Sequence, residues 1–132
     1  MSALQPLAAY GRILLVEDDD AARELFAQAL RLTGYVVRTA ADGLAGLRLV
    51  DAFDPDVIVL DLGLPIASGF EVLHEIRQAP KRQETPVIAI SGLESGLKLA
   101  KKNPEFFATI PKPFDPEALV RVVTRALRVT HT

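Results

Sequence analysis

Apolar residues fall in two rhythms along this chain. Short runs at Ile13–Val16, Val36–Thr39, Val57–Leu60, Val87–Ile90 and Phe107–Ile110 predict five strands. Three of these runs are continuous rather than alternating, as strands covered on both faces are. Between them lie stretches with helical spacing. Ala21–Leu32 carries Leu25, Phe26, Ala29 and Leu30, with Gly34 as a stop. Gly43–Ala52 places Leu44, Leu47 and Val50 on one face, and Phe70–Gln78 offers Val72, Leu73 and Ile76. Leu93–Lys102 is the weakest, with Leu97 and Ala100. Pro116–Val129 is the strongest, with Leu119, Val122, Val123, Ala126 and Leu127, and Asp115 stands ahead of Pro116 as a cap. Strand–helix alternation of this kind predicts an α/β fold: a doubly wound, five-stranded parallel sheet with helices on both faces. Residues 1–10 show no period and read as a flexible lead-in; 11–129 read as one domain and 130–132 as a tail.

Composition narrows the class. Nearly half of the 132 residues are hydrophobic, enough for a substantial core. No apolar run is long enough to span a bilayer, and the N-terminus lacks a secretory pattern, so a cytoplasmic protein without membrane contact is expected. The absence of cysteine excludes disulfides, thiolate catalysis and Cys-based zinc sites. With 15 basic and 17 acidic residues the formal charge is −2, and no basic cluster points to nucleic acid. Arg38, Arg48, Arg121, Arg125 and Arg128 read as scattered solvated charges, and His74 as a partly exposed helix residue.

In open parallel sheets, ligands bind beyond the carboxyl ends of the strands. The chemistry of this chain sits there. Glu17 and Asp18 follow the first strand, Asp61 ends the third, Ser91 ends the fourth, and Lys112 follows the fifth. Clustered carboxylates raise one another's pKa, and a divalent cation relieves that. Hard oxygen ligands favour Mg2+, with Mn2+ as a substitute. A carboxylate can also accept a phosphoryl group, with an ammonium and a hydroxyl to take up charge on its oxygens. Asp19 and Asp20 are assigned differently, to the start of the first helix. Pro65 and Gly69 read as turn residues, with Gly69 free to take a positive φ.

The segments "ILLVEDD", "DLGLPIASG" and "PKPF", in this order with Ser91 between, resemble the receiver domain of two-component response regulators over about Gly11 to Val129. The resemblance implies a flavodoxin-like sheet of order 2-1-3-4-5. It implies that Asp61 is the phosphoacceptor, that Ser91 and Lys112 are the switch hydroxyl and the catalytic lysine, and that Glu17, Asp18, Asp61 and the backbone carbonyl of Gly63 hold Mg2+. It also implies a cis peptide at Lys112–Pro113. The implied function is a self-phosphorylating signalling switch rather than a turnover enzyme. Its donor would be a sensor histidine kinase or phosphotransfer protein, its output an unknown downstream protein, and its state a monomer or a weak phosphorylation-dependent dimer. It would be either a stand-alone regulator or part of a longer one.

Three positions depart from the family pattern. Thr109 stands where an aromatic switch residue is usual, which predicts a muted or different output switch. Pro111 cannot donate a ladder hydrogen bond, so the fifth strand should be short or at an edge. Gly63 and Leu93 cannot orient a hydrolytic water, which predicts slow self-dephosphorylation, with Leu93 shielding the site. Three other functions compete with this reading. A haloacid dehalogenase-type phosphatase would need an acid at position 63. A flavodoxin-like cofactor binder would need a phosphate loop where Glu17 and Asp18 stand. A degenerate receiver would bind its partner without phosphorylation, and it is the main alternative.

Overall fold

The computed structural model describes residues 11–130. The expected lead-in over 1–10 and the last residues of the expected tail, 131–132, lie outside that range. Five strands, β1 (Arg12–Val16), β2 (Val36–Ala40), β3 (Val57–Asp61), β4 (Val87–Ser91) and β5 (Ala108–Pro111), alternate with five helices. The helices are α1 (Asp20–Thr33), α2 (Gly43–Phe53), α3 (Gly69–Gln78), α4 (Glu94–Lys101) and α5 (Pro116–Thr130). All strand pairs are parallel, in the order β2-β1-β3-β4-β5. This is the doubly wound arrangement that the hydrophobic rhythm predicts. β5 has four residues and forms an edge, as Pro111 requires.

Side chains alternate across a strand, so each continuous apolar run feeds two cores. Ile13, Leu15, Val57, Val59, Ile88 and Ile90 pack on one face against Phe26, Ala27 and Leu30 of α1 and Leu119, Val123 and Ala126 of α5. Leu14, Val16, Ile58, Leu60, Val87 and Ala89 pack on the other against Val50, Val72, Leu73, Ile76 and Ala100. Truncating any of the large members to Ala removes contacts worth about 2–5 kcal/mol.

Local signals set the helix ends. The Asp19 carboxylate accepts from the Ala22 N–H at 2.8 Å, and Asp20 lies in the first turn, so both acids serve the start of α1. Gly34 closes that helix at φ 110°, a conformation a Cβ would oppose. Ser68 and Glu71 form a reciprocal capping box on α3.

Some expectations shift. Leu25 and Leu44 face solvent; α2 instead buries Gly43 and Gly46, letting its backbone approach the sheet. A 3-10 turn at Pro80–Arg82, absent from the predicted elements, follows α3. Arg38 and Arg125 are not plain solvated charges: they lie 5.5 and 5.7 Å from the ring centroids of Phe53 and Phe107.

The winding reverses between β1 and β3. Register pairs Val16 with Leu60, so Glu17 and Asp61 leave the sheet side by side. Ser91 pairs with Pro111, which sets Lys112 beside them on the same edge.

Candidate functional site

Glu17 is wholly buried (0 % exposed) and Asp61 nearly so (4 %), whereas Asp18 reaches solvent. One carboxylate oxygen from each of the three lies within 4.8 Å of the others. Lys112 reaches in from the loop after β5. Its Nζ stands 2.6 Å from Glu17 Oε1 and 3.0 Å from Asp61 Oδ2. The Lys112–Pro113 peptide bond is cis. Asp61 Oδ1 accepts from the Gly63 N–H at 2.9 Å, and Glu17 Oε2 accepts from the Asp19 N–H at 3.0 Å. Glu17 Oε1, wholly enclosed, has the Lys112 ammonium as its close partner.

The electrostatics follow from this crowding. Burial raises the Glu17 carboxyl from an ordinary 4.5 to about 7; Lys112 and the Asp19 N–H oppose the rise, and the neighbouring Asp61 adds to it. Burial pulls Lys112 down, but hydrogen bonds and charge from Glu17 and Asp61 outweigh it, and the ammonium is held above its usual range. An acid so raised is one for which a cation would substitute for a proton. The donor set of three carboxylates suits a hard divalent ion.

Ser91, also buried, is occupied locally. Its Oγ accepts from the Leu93 N–H at 3.0 Å, and Gly96 of α4 leaves room beside it. Leu93 is exposed. Thr109 is half-buried and pairs in register with Ala89, two steps from the Ser91–Pro111 pair. The loop after Asp61 differs from expectation in one detail. Its positive φ, 72°, falls on Ile66, not on Gly69. Gly69 is required for another reason: a Cβ there would stand 2.6 Å from the Asp61 carbonyl oxygen.

Glu17, Asp18, Asp61 and Lys112 thus meet, with Gly63 bonded to Asp61 and Ser91 on the adjacent strand end. Two features were missed from the sequence. Lys112 pairs with Glu17 as well as Asp61. Phe114, just beyond the lysine, stacks on Phe26 of α1 at 4.7 Å between centroids, tying the lysine loop to the helix that follows the acids. The aromatic in "PKPF" was the available signal.

A family model described as the response regulator receiver domain matches residues 13–124. The chain belongs to that family. Such receiver domains are signalling domains with a phosphoacceptor role; they interact with histidine kinases and bind Mg2+ at an acidic pocket. Among curated relatives, the receiver is 34 % identical over 122 residues to the DNA-binding dual master transcriptional regulator RpaA of Synechocystis, covering 90 % of this chain and 50 % of that one. It is also 34 % identical over 119 residues to the DNA-binding transcriptional regulator NtrC of Rhizobium meliloti, covering 89 % of this chain and 24 % of the relative. The chain therefore spans half or less of these relatives. Among solved structures, chemotaxis protein CheY4 of Vibrio cholerae superposes with a TM-score of 0.82 at 30 % identity, covering 90 % of this receiver and all of that chain (100 %). A CheY-like receiver from Methanospirillum hungatei gives 0.84 at 26 % identity, over 93 % of this chain and 98 % of its own. No described helix of the receiver is long and apolar enough to cross a membrane.

Proposed function

We propose that Asp61 accepts a phosphoryl group from the phosphohistidine of a sensor histidine kinase or phosphotransfer protein, and that the modified receiver switches its contacts with a downstream protein. The observation that carries this reading is the Lys112 ammonium, held 3.0 Å from Asp61 beside an acid group formed with Glu17 and Asp18. An Asp61 carboxylate oxygen forms the new bond to phosphorus. The phosphorus–nitrogen bond of the donor breaks, and its electron pair returns to the imidazole. Lys112 is placed to leave Asp61 and pair with a phosphoryl oxygen. Ser91 would turn its hydroxyl hydrogen from the Leu93 carbonyl, 3.5 Å away, to donate to a second oxygen. Asp18 would ligate Mg2+ directly and Glu17 chiefly through water, with Asp61 and the Gly63 carbonyl completing the set. Bound there, the ion would neutralise charge on the phosphoryl oxygens.

The chain acts on itself and ends modified, so it is a switch and not a turnover enzyme. Gly63 and Leu93 offer no side-chain hydrogen bond to water, which supports a long-lived acyl phosphate. Thr109 lacks the bulk of an aromatic, which supports a small displacement at the β4–β5 edge. Incubation with acetyl phosphate and Mg2+ tests the central step. The wild-type mass should rise by one phosphoryl group, and Asp61→Asn should abolish the gain. A wild-type chain that never takes the group would instead be a degenerate receiver that binds its partner unmodified.

A further inference from the structure

The β1–α1 turn holds a contact that the chemistry above leaves unused. Arg23, early in α1, reaches back to the residues that end β1. Its Nη1 donates to the Glu17 carbonyl at 3.0 Å and lies 3.5 Å from the Asp18 carbonyl. Its Nη2 pairs with Asp20 at 2.5 Å, and the Arg23 side chain is only 20 % exposed. The contacts described for this guanidinium reach two carbonyls and Asp20, not the carboxylates of Glu17 or Asp18.

Electrostatics alone makes the placement unfavourable. A fixed positive charge beside a cation site repels the cation. A guanidinium also supplies geometry: its rigid, planar fork lets Nη1 meet the corner carbonyls while Nη2 is held by Asp20, a fixed arrangement that a flexible ammonium does not pre-organise. The need for such a fork is local. The Glu17 N–H still follows the sheet, donating to Ala40 at 3.0 Å, yet by Asp20 the chain is already helical. The carbonyls at the corner lie beyond the strand ladder, and Arg23 takes them up. We propose that Arg23, held by Asp20, is a positioning residue: it sets this corner so that the Glu17 and Asp18 carboxylates face Asp61. The inference rests on the reading that these carboxylates hold Mg2+. Asp20 then has a second task besides starting α1.

Calorimetric titration with MgCl2 separates the two roles by sign. A positioning fork predicts that Arg23→Gln weakens Mg2+ binding about tenfold or more, as loss of outer-shell support does at metal sites. A mere neighbouring charge predicts tighter binding when it is removed. Arg23→Lys, which keeps the charge and loses the fork, should also bind weakly, and Asp20→Asn should fall between Arg23→Gln and wild type. In the metal-free protein, the Asp19 amide should exchange its hydrogen faster in Arg23→Gln. Arg82→Met, altered far from this edge, serves as the control for lost stability and should keep wild-type affinity. Unchanged or tighter binding in Arg23→Gln, full affinity in Arg23→Lys, or an equal loss in Arg82→Met would each overturn the proposal. If Arg23→Gln does not fold, Arg23→Lys and Asp20→Asn decide. A wild-type receiver that binds no Mg2+ would remove the underlying reading and this inference together, whereas wild-type binding with no loss in the variants removes the inference alone.

Discussion

Arg82 and Glu17 are both buried, at opposite ends of the same sheet. Arg82 is 6 % exposed and sits near the amino ends of the strands. It donates to the Pro55 carbonyl at 2.9 Å, pairs with Asp54, and reaches Thr85 Oγ1 at 3.4 Å. Arg77 braces the same corner, donating to the Thr85 carbonyl at 2.8 Å and the Glu105 carbonyl at 2.9 Å. Every acceptor there is a loop entering β3, β4 or β5, so the two arginines staple connections that have no ladder of their own. Glu17, at the carboxyl ends, crowds against like charge and shares the single Lys112 ammonium with Asp61. A satisfied buried charge holds a fold together. A buried acid crowded by a second carboxylate, with one ammonium between them, is where a divalent cation would relieve the most repulsion.

The largest effect expected from this contrast is on stability. Arg82→Met should lower unfolding free energy by about 2–4 kcal/mol, because it strips charge-assisted bonds from buried carbonyls. Phosphoryl uptake from acetyl phosphate should persist in the folded fraction. Urea unfolding checks the first point and mass measurement the second. A variant that kept its stability would place the buried arginine among residues of no structural weight.

Glu17→Gln should act in the opposite direction. The folded state holds the Glu17 proton more tightly than the unfolded chain, with a pKa of about 7 against an ordinary 4.5. The stability gained from that proton is complete below pH 4.5 and is lost as the pH rises through about 7. At pH 8 without metal, removing the charge should therefore stabilise the protein by on the order of 1–3 kcal/mol. The fall in stability across that pH range should flatten in the variant. In wild type, saturating Mg2+ should remove the fall as well, since an ion held there would favour the carboxylate form. Thermal unfolding across pH, with and without Mg2+, reads all three effects.

The two ends of the sheet also differ in how far the sequence discloses them. The carboxyl edge is legible because strand ends place residues by rule: once β1, β3, β4 and β5 are located, Glu17, Asp61, Ser91 and Lys112 must share an edge. What was not legible depends on side chains long enough to choose among partners. Lys112 pairs with two acids, Arg23 turns back along the chain to two carbonyls, and Arg82 and Arg77 collect acceptors from three separate loops. Nothing in local spacing distinguishes such an arginine from the solvated ones. The facing of Leu25 and Leu44 was misjudged for a related reason. The apolar stripe admits small residues as well as large, and α2 approaches the sheet through Gly43 and Gly46.

The smallest predicted effect concerns backbone strain near the site. Ile66 is fully exposed and holds φ at 72°. A β-branched residue there is unfavourable by about 1–3 kcal/mol, and its side chain recovers nothing by burial. Asn tolerates this conformation without loosening the unfolded chain as Gly would. Ile66→Asn should therefore raise stability by about 0.5–1 kcal/mol, measured by urea unfolding. The comparable change at the other end is the exposed Asp54, which also has a positive φ, 55°, but a residue type that accepts it. Asp54→Asn keeps that preference and an oxygen that can still accept from the buried Arg82, losing only the charge on the exposed partner, so it should lower stability by under about 1 kcal/mol. Opposite signs for two substitutions to the same residue, at two positions of similar φ, would show that the strain belongs to the functional edge. A loss of stability in Ile66→Asn would mean that the exposed isoleucine is held by contacts, and the contrast between the two ends would then rest on charge alone.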